Sequence, residues 1–150
     1  GLNRRILEKF IETNFNNRLI IRLPGLVGPG LKKNAIFDLH NDNEILKIDS
    51  RNLYQFYPVV NLWKSIILAH NLNIKLVHFN SEPISVFDIA KYCFGKVFIN
   101  KLNNLIQNYD LKSLYVDDLF GRSGSYFYNK SEIINYIKTY VNSEEKINNK

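Results

Sequence analysis

Apolar residues recur near helical period at the start of the chain. Leu2, Ile6, Phe10 and Ile11 share a stripe, with Arg4, Glu8, Lys9 and Glu12 elsewhere. This predicts a helix over Leu2 to Phe15, stopped by Asn14, Asn16 and Asn17. Leu19 to Leu23 then reads as a nearly continuous apolar strand, suited to a sheet buried on both faces. Asn34 to Leu39 predicts a short helix, and Ile45 to Ile48 a short strand. Leu53 to Val60 is aromatic and β-prone, and Pro58 makes it an edge or a strand end. Asn61 is read as the N-cap of a helix over Leu62 to Asn71.

Ile74 to Phe79 alternates as a strand should. Ser85 with Asp88 three residues on forms a capping box, and Gly95 caps the far end of the helix that follows. Lys96 to Asn108 fits either period. Leu111 to Val116 reads as extended, and Phe120 to Ser125 as a loop. Asn129 and Glu132 form a second capping box, before a helix with Ile133, Ile134, Ile137, Tyr140 and Val141 inward. Residues 142–150 are polar and predict a frayed tail. Helix, strand, helix and strand in alternation predict an α/β fold, and 150 residues predict one domain.

The first strand runs into a Pro/Gly-rich loop, Arg22 to Asn34, of a kind that brings backbone amides close to a ligand. Gly25 and Gly30 have the separation of a phosphate-binding P-loop. Leu31 and Lys32, however, stand where that loop needs Lys and Ser or Thr. The G-x-G-x-x-G dinucleotide fingerprint is absent.

Composition narrows the classes. A hydrophobic content of 45% is too rich for disorder, and no apolar run reaches the ~18 residues of a membrane span. This points away from a membrane partner. The single cysteine, Cys93, cannot form an internal disulfide and fits a reducing, cytoplasmic setting. The chain starts with Gly and contains no Met, which predicts a processed chain or a piece of something longer. The net charge of +6 comes from scattered Lys and Arg with no nucleic-acid motif, so no nucleic-acid partner is expected. His40, His70 and His78 lack partners at metal spacing, so no metal site is expected. Cys93 reads as a packed apolar residue, and Asp117-Asp118 as a solvated turn. The chain contains no complete catalytic constellation of its own.

The order of motifs carries more. Arg22-Leu23-Pro24-Gly25-Leu26-Val27-Gly28-Pro29-Gly30 follows a strand. An aromatic strand ending in Tyr57-Pro58-Val59 comes next, then a helix–strand pair. Glu82-Pro83-Ile84-Ser85-Val86-Phe87-Asp88-Ile89 then opens a helix. This order resembles the C-terminal half of the extended short-chain dehydrogenase/reductase superfamily, the NAD-dependent epimerase/dehydratase group acting on nucleotide sugars. The resemblance spans Gly1 to about Val141.

The resemblance implies the later part of a Rossmann-like parallel sheet with a small mixed α/β substrate-binding region. It also implies a chain that starts just after the family's catalytic Tyr. Arg4 then stands where the family has the Lys that contacts the nicotinamide ribose and lowers the Tyr pKa. Arg5 takes that place if the register shifts by one, and a solvated helix charge is the other reading of Arg4. Pro24, Gly25, Leu26 and Val27 would line the nicotinamide of NAD or NADP. Lys33, Asn34 and Tyr57 would meet the nucleotide sugar. Lys32 and Lys33 also read as solvated loop charges, Asn34 as a helix N-cap, and Tyr57 as an ordinary sheet aromatic. The Gly-rich first turn and the Tyr are not in this sequence, so an inactive half is expected, with the missing half supplying the rest. That half-sheet predicts marginal stability or association through its exposed edge, including a homo-oligomer. The alternative is a non-catalytic nucleotide-sugar-binding or assembly module that keeps the scaffold.

Overall fold

The computed structural model describes residues 1–148. Helix α1 (Leu2–Asn14) leads to strand β1 (Ile20–Arg22). Three residues of the Pro/Gly loop then form a second strand, β2 (Gly25–Val27), which the sequence did not announce. Helix α2 (Ala35–His40) follows, and then a 3-10 turn over Ile45–Lys47 in place of the strand expected there. Glu44 enters that turn in the left-handed region, at φ 49, which breaks the extended backbone a strand requires. Next come β3 (Leu53–Tyr54), β4 (Phe56–Pro58), α3 (Val59–Asn71), β5 (Leu76–His78), β6 (Ile84–Ser85) and α4 (Val86–Phe94). A short helix α5 (Val116–Phe120) begins at Val116, the last residue of the segment expected to be extended. The chain closes with α6 (Lys130–Asn148).

Among the described residues, β1 pairs with β5 and β2 with β4, both parallel, while β3 pairs with β6 antiparallel. Both parallel pairs have a helix between their strands, as parallel strands require. Strand alternation on β4 divides the core. Phe56 packs with Val27, Ile36, Ile89, Ile133 and Ile137 beneath α2, α4 and α6. Its neighbour Tyr57 points the other way, toward Val77, Phe79, Leu119 and Phe127 beneath α3 and α5.

The predicted caps appear. Ser85 accepts from the Asp88 amide at 3.0 Å, and Gly95 ends α4 at φ 63. Asn129 and Glu132 exchange hydrogen bonds at 2.9 Å in both directions. One expectation needs correction. Asn61 is not a cap, because α3 starts at Val59 with Pro58 before it. Proline's fixed φ and missing N–H suit a helix entrance, so the strand passes straight into the helix. Helix α6 runs through Asn148, across most of the tail expected to fray from residue 142. Residues 149–150 of that expectation lie outside the described residues.

Candidate functional site

Two clefts flank β2. The larger, about 870 Å³, lies between α1 and the strands β1 and β5, and Arg4, Arg22, Pro24, Leu26, His78 and Tyr109 are on its walls. The smaller, about 330 Å³, is walled by Gly25, Asn34, Asp38, Lys47 and Tyr54. Gln55 borders both. Its side chain is buried; Nε2 donates to the carbonyls of Ser81 (2.7 Å) and Leu111 (2.8 Å), and Oε1 accepts from the Leu111 amide at 2.8 Å. With all these bonds made, Gln55 is a fixed partition rather than a free ligand group.

The four loop residues expected to line one surface do not share it. Pro24 and Leu26 face the larger cleft with Arg4, whereas Gly25 faces the smaller. Val27 is 1% exposed and belongs to the core. The cause is the unannounced strand, whose alternation sends neighbours to opposite sides. Gly25 is also tightly confined, since a Cβ there would meet the Phe56 ring at 2.8 Å.

Arg4 is exposed at the cleft rim. The nearby carboxylates are already engaged, Glu8 by Arg22 and Arg5, and Glu12 by Arg5. Lys33 is exposed and borders neither cleft. Asn34 reaches the smaller cleft, but its side chain is spent on capping. Oδ1 accepts from the Ile36 amide (3.0 Å) and the Phe37 amide (3.3 Å), and Nδ2 donates to the Leu26 carbonyl at 3.0 Å. Tyr57 borders neither cleft. It is fully buried, stacks on Phe79 at 4.9 Å, and bonds Ser65 Oγ at 2.7 Å. Burial pushes its hydroxyl pKa well above the ordinary range.

Sequence reasoning passed over the charged cluster in the larger cleft. Arg22 donates to both Glu8 oxygens, from Nε at 2.8 Å and Nη2 at 2.6 Å, in the bidentate form that guanidinium and carboxylate share. This hydrogen bond lowers the Glu8 pKa from 4.5 to about 2 and raises that of Arg22. Arg22 Nη1 lies 3.0 Å from His78 Nε2. Burial, then the Arg22 charge, lowers the His78 pKa, favouring the neutral ring. A lone Arg inside the apolar run Leu19 to Leu23 was the available signal. Cys93 is inert by its surroundings, since burial raises its thiol to about 11. Among the described residues no three of His, Cys, Asp and Glu gather at a metal-binding distance, and no helix is long and apolar enough to cross a membrane.

Parallel strand pairs, the strand–loop–helix from β1 to α2, and the later helices make a mixed α/β fold like the C-terminal half of Rossmann-like epimerases. The chain overlays on a dTDP-glucose 4,6-dehydratase from Bacillus anthracis in complex with NAD, with a TM-score of 0.70 and 13% identity, over 95% of this chain and 49% of the other. It overlays on a UDP-N-acetylglucosamine 4-epimerase from Bacillus cereus at 0.64 and 15%, over 97% and 52%. A UDP-glucose 4-epimerase from Thermotoga maritima with UDP-glucose gives 0.66 and 12%, over 98% and 53%. The chain thus spans about half the length of the structures it matches. By name these solved structures are one nucleotide-sugar dehydratase and two nucleotide-sugar 4-epimerases. No family model and no curated protein matches the sequence.

Proposed function

We propose that this chain forms the substrate-side half of an NAD(P)-dependent epimerase, dehydratase or reductase acting on nucleotide sugars, and that it is catalytically incomplete by itself. The observation that carries the reading is the overlay of nearly the whole chain on half of a dTDP-glucose dehydratase and of UDP-sugar epimerases. The residues on the larger cleft fit the nicotinamide end of such a cofactor, because Pro24 and Leu26 offer an apolar wall beside the Arg4 charge. The G-x-G-x-x-G turn that takes a dinucleotide's pyrophosphate does not occur in this sequence. When bound, NAD(P) supplies a hydride acceptor. In this reading Arg4 holds positive charge beside the acid/base group that the companion half contributes, and keeps that group's pKa low. Gln55 fixes the wall between cofactor and sugar, and the smaller cleft, with Gly25, Asn34 and Lys47, takes the sugar nucleotide.

The companion half packs where this chain offers unpaired surface. Among the described residues β1 pairs only with β5, and α1 exposes Leu2, Ile6, Leu7 and Phe10. Calorimetric titration of the chain with UDP-glucose and dTDP-glucose tests the reading. Saturable binding without cofactor is expected, with no turnover when NAD or NADP is added. Absence of binding at millimolar ligand overturns it.

A further inference from the structure

A third cavity, about 500 Å³, opens between α3, α5 and α6 and shares no residue with the two clefts. That volume lies in the range of small-molecule sites. Its floor is a polar network inside an otherwise aromatic core. Ser65 and Tyr128 are 3% and 4% exposed, and both border the cavity. Ser65 Oγ donates to the Asn61 carbonyl at 3.0 Å, and Asn61 Nδ2 bonds the hydroxyls of Tyr128 at 2.8 Å and Tyr136 at 2.7 Å. Phe79 and Phe127 fill the same core without hydroxyls, so packing does not require them on Tyr128. Buried polar groups carry a desolvation cost, and here they gather at one cavity floor.

The rim adds charge. Arg122 is held in place by Glu132 Oε2 at 2.8 Å and the Phe127 carbonyl at 3.3 Å. Lys64 is exposed and enters no ion pair among the described residues. Two cations face one carboxylate, Glu132, so the rim favours an anion. Phe120 and Tyr136 flank Tyr128 edge to face, at 5.8 and 5.5 Å, and offer ring surfaces to a flat ligand.

We propose that this cavity is a second binding site, separate from the nucleotide-sugar clefts, for a small ring compound carrying a phosphate or carboxylate. Lys64 and Arg122 meet the anion, and Phe120 and Tyr136 meet the ring. Amide-shift titration of the isotopically labelled chain with phenyl phosphate, with benzoate, and with sodium sulfate at matched ionic strength tests it. The expected result is saturable shifts at Asn61, Ser65, Arg122 and Tyr136 with one or both ring anions, and none with sulfate. The stronger of the two ring compounds identifies the anion. Lys64→Glu, at an exposed helix position, removes about tenfold or more of the affinity. Tyr136→Leu, which removes the ring that meets the ligand, weakens it several-fold while the unliganded spectrum stays that of a folded chain. No saturable shift at these four residues overturns the site, as do shifts centred on the β2 clefts or an affinity that Lys64→Glu leaves unchanged. None of these outcomes depends on nucleotide-sugar binding.

Discussion

Helices α1 and α6 hold to the same molecule by different physics. α6 drives Ile133, Ile137 and Val141 into the core against α4 and the β2–β4 pair. α1 buries none of its residues; its apolar stripe lies open, and a bidentate ion pair from Glu8 to Arg22 ties it to β1. An apolar stripe of nearly the same sequence quality therefore marks a core element in one case and an unpartnered face in the other. The stripe says only that burial is wanted. Where the burial occurs depends on what else is folded beside it.

The largest expected contrast comes from deleting apolar groups on each side. Ile89→Ala removes a fully buried side chain facing α6, and costs roughly 2–5 kcal/mol in denaturant titration. Ile6→Ala on α1, 58% exposed, should move stability by less than about 0.5 kcal/mol. Equal losses would erase the contrast. Gly25→Ala comes next. The Phe56 ring, 2.8 Å from the added carbon, must shift within the core, at roughly 1–3 kcal/mol. An unchanged melting temperature would mean that Phe56 yields without cost. Ser85→Ala removes the cap of α4 and should cost about 1 kcal/mol.

The smallest global effect, and the sharpest local one, is at Glu8. Its carboxyl titrates lower in the folded chain than its ordinary value, through the Arg22 hydrogen bond, so the pair stabilises the attachment of α1 above pH 4.5. That contribution fades as pH falls from about 4.5 toward 2. Glu8→Gln should raise amide exchange in α1 at neutral pH and leave α6 unchanged. It should also remove the part of the acid response specific to α1. If α1 exchanges alike in both proteins, the helix is held by something other than this pair.

Much of the fold was legible because it is local. The Ser85–Asp88 and Asn129–Glu132 caps and Gly95 each act within a few residues, and each appears where the spacing placed it. β2 was not legible, because three residues of a Pro/Gly loop become a strand only by pairing with β4. Asn61 was misread for the same reason; its partners Tyr128 and Tyr136 lie 67 and 75 residues away. In the candidate site the fold brings Arg4, Pro24 and Leu26 to one cleft. Val27 and Tyr57 turn into the core, and Tyr57 takes the sheet-aromatic place that was one of its two readings, in directions set by strand alternation. Arg22 was visible as a charge in an apolar run, but its partners Glu8 and His78 come from elements that only the fold brings together.

The central claim is that the clefts around β2 belong to a nucleotide-sugar enzyme. Mapping the amide shifts of the labelled chain on addition of UDP-glucose tests it most directly. The account predicts saturable shifts concentrated at Gly25, Leu26, Asn34 and Gln55. Shifts that avoid these residues, or none at millimolar ligand, would contradict it.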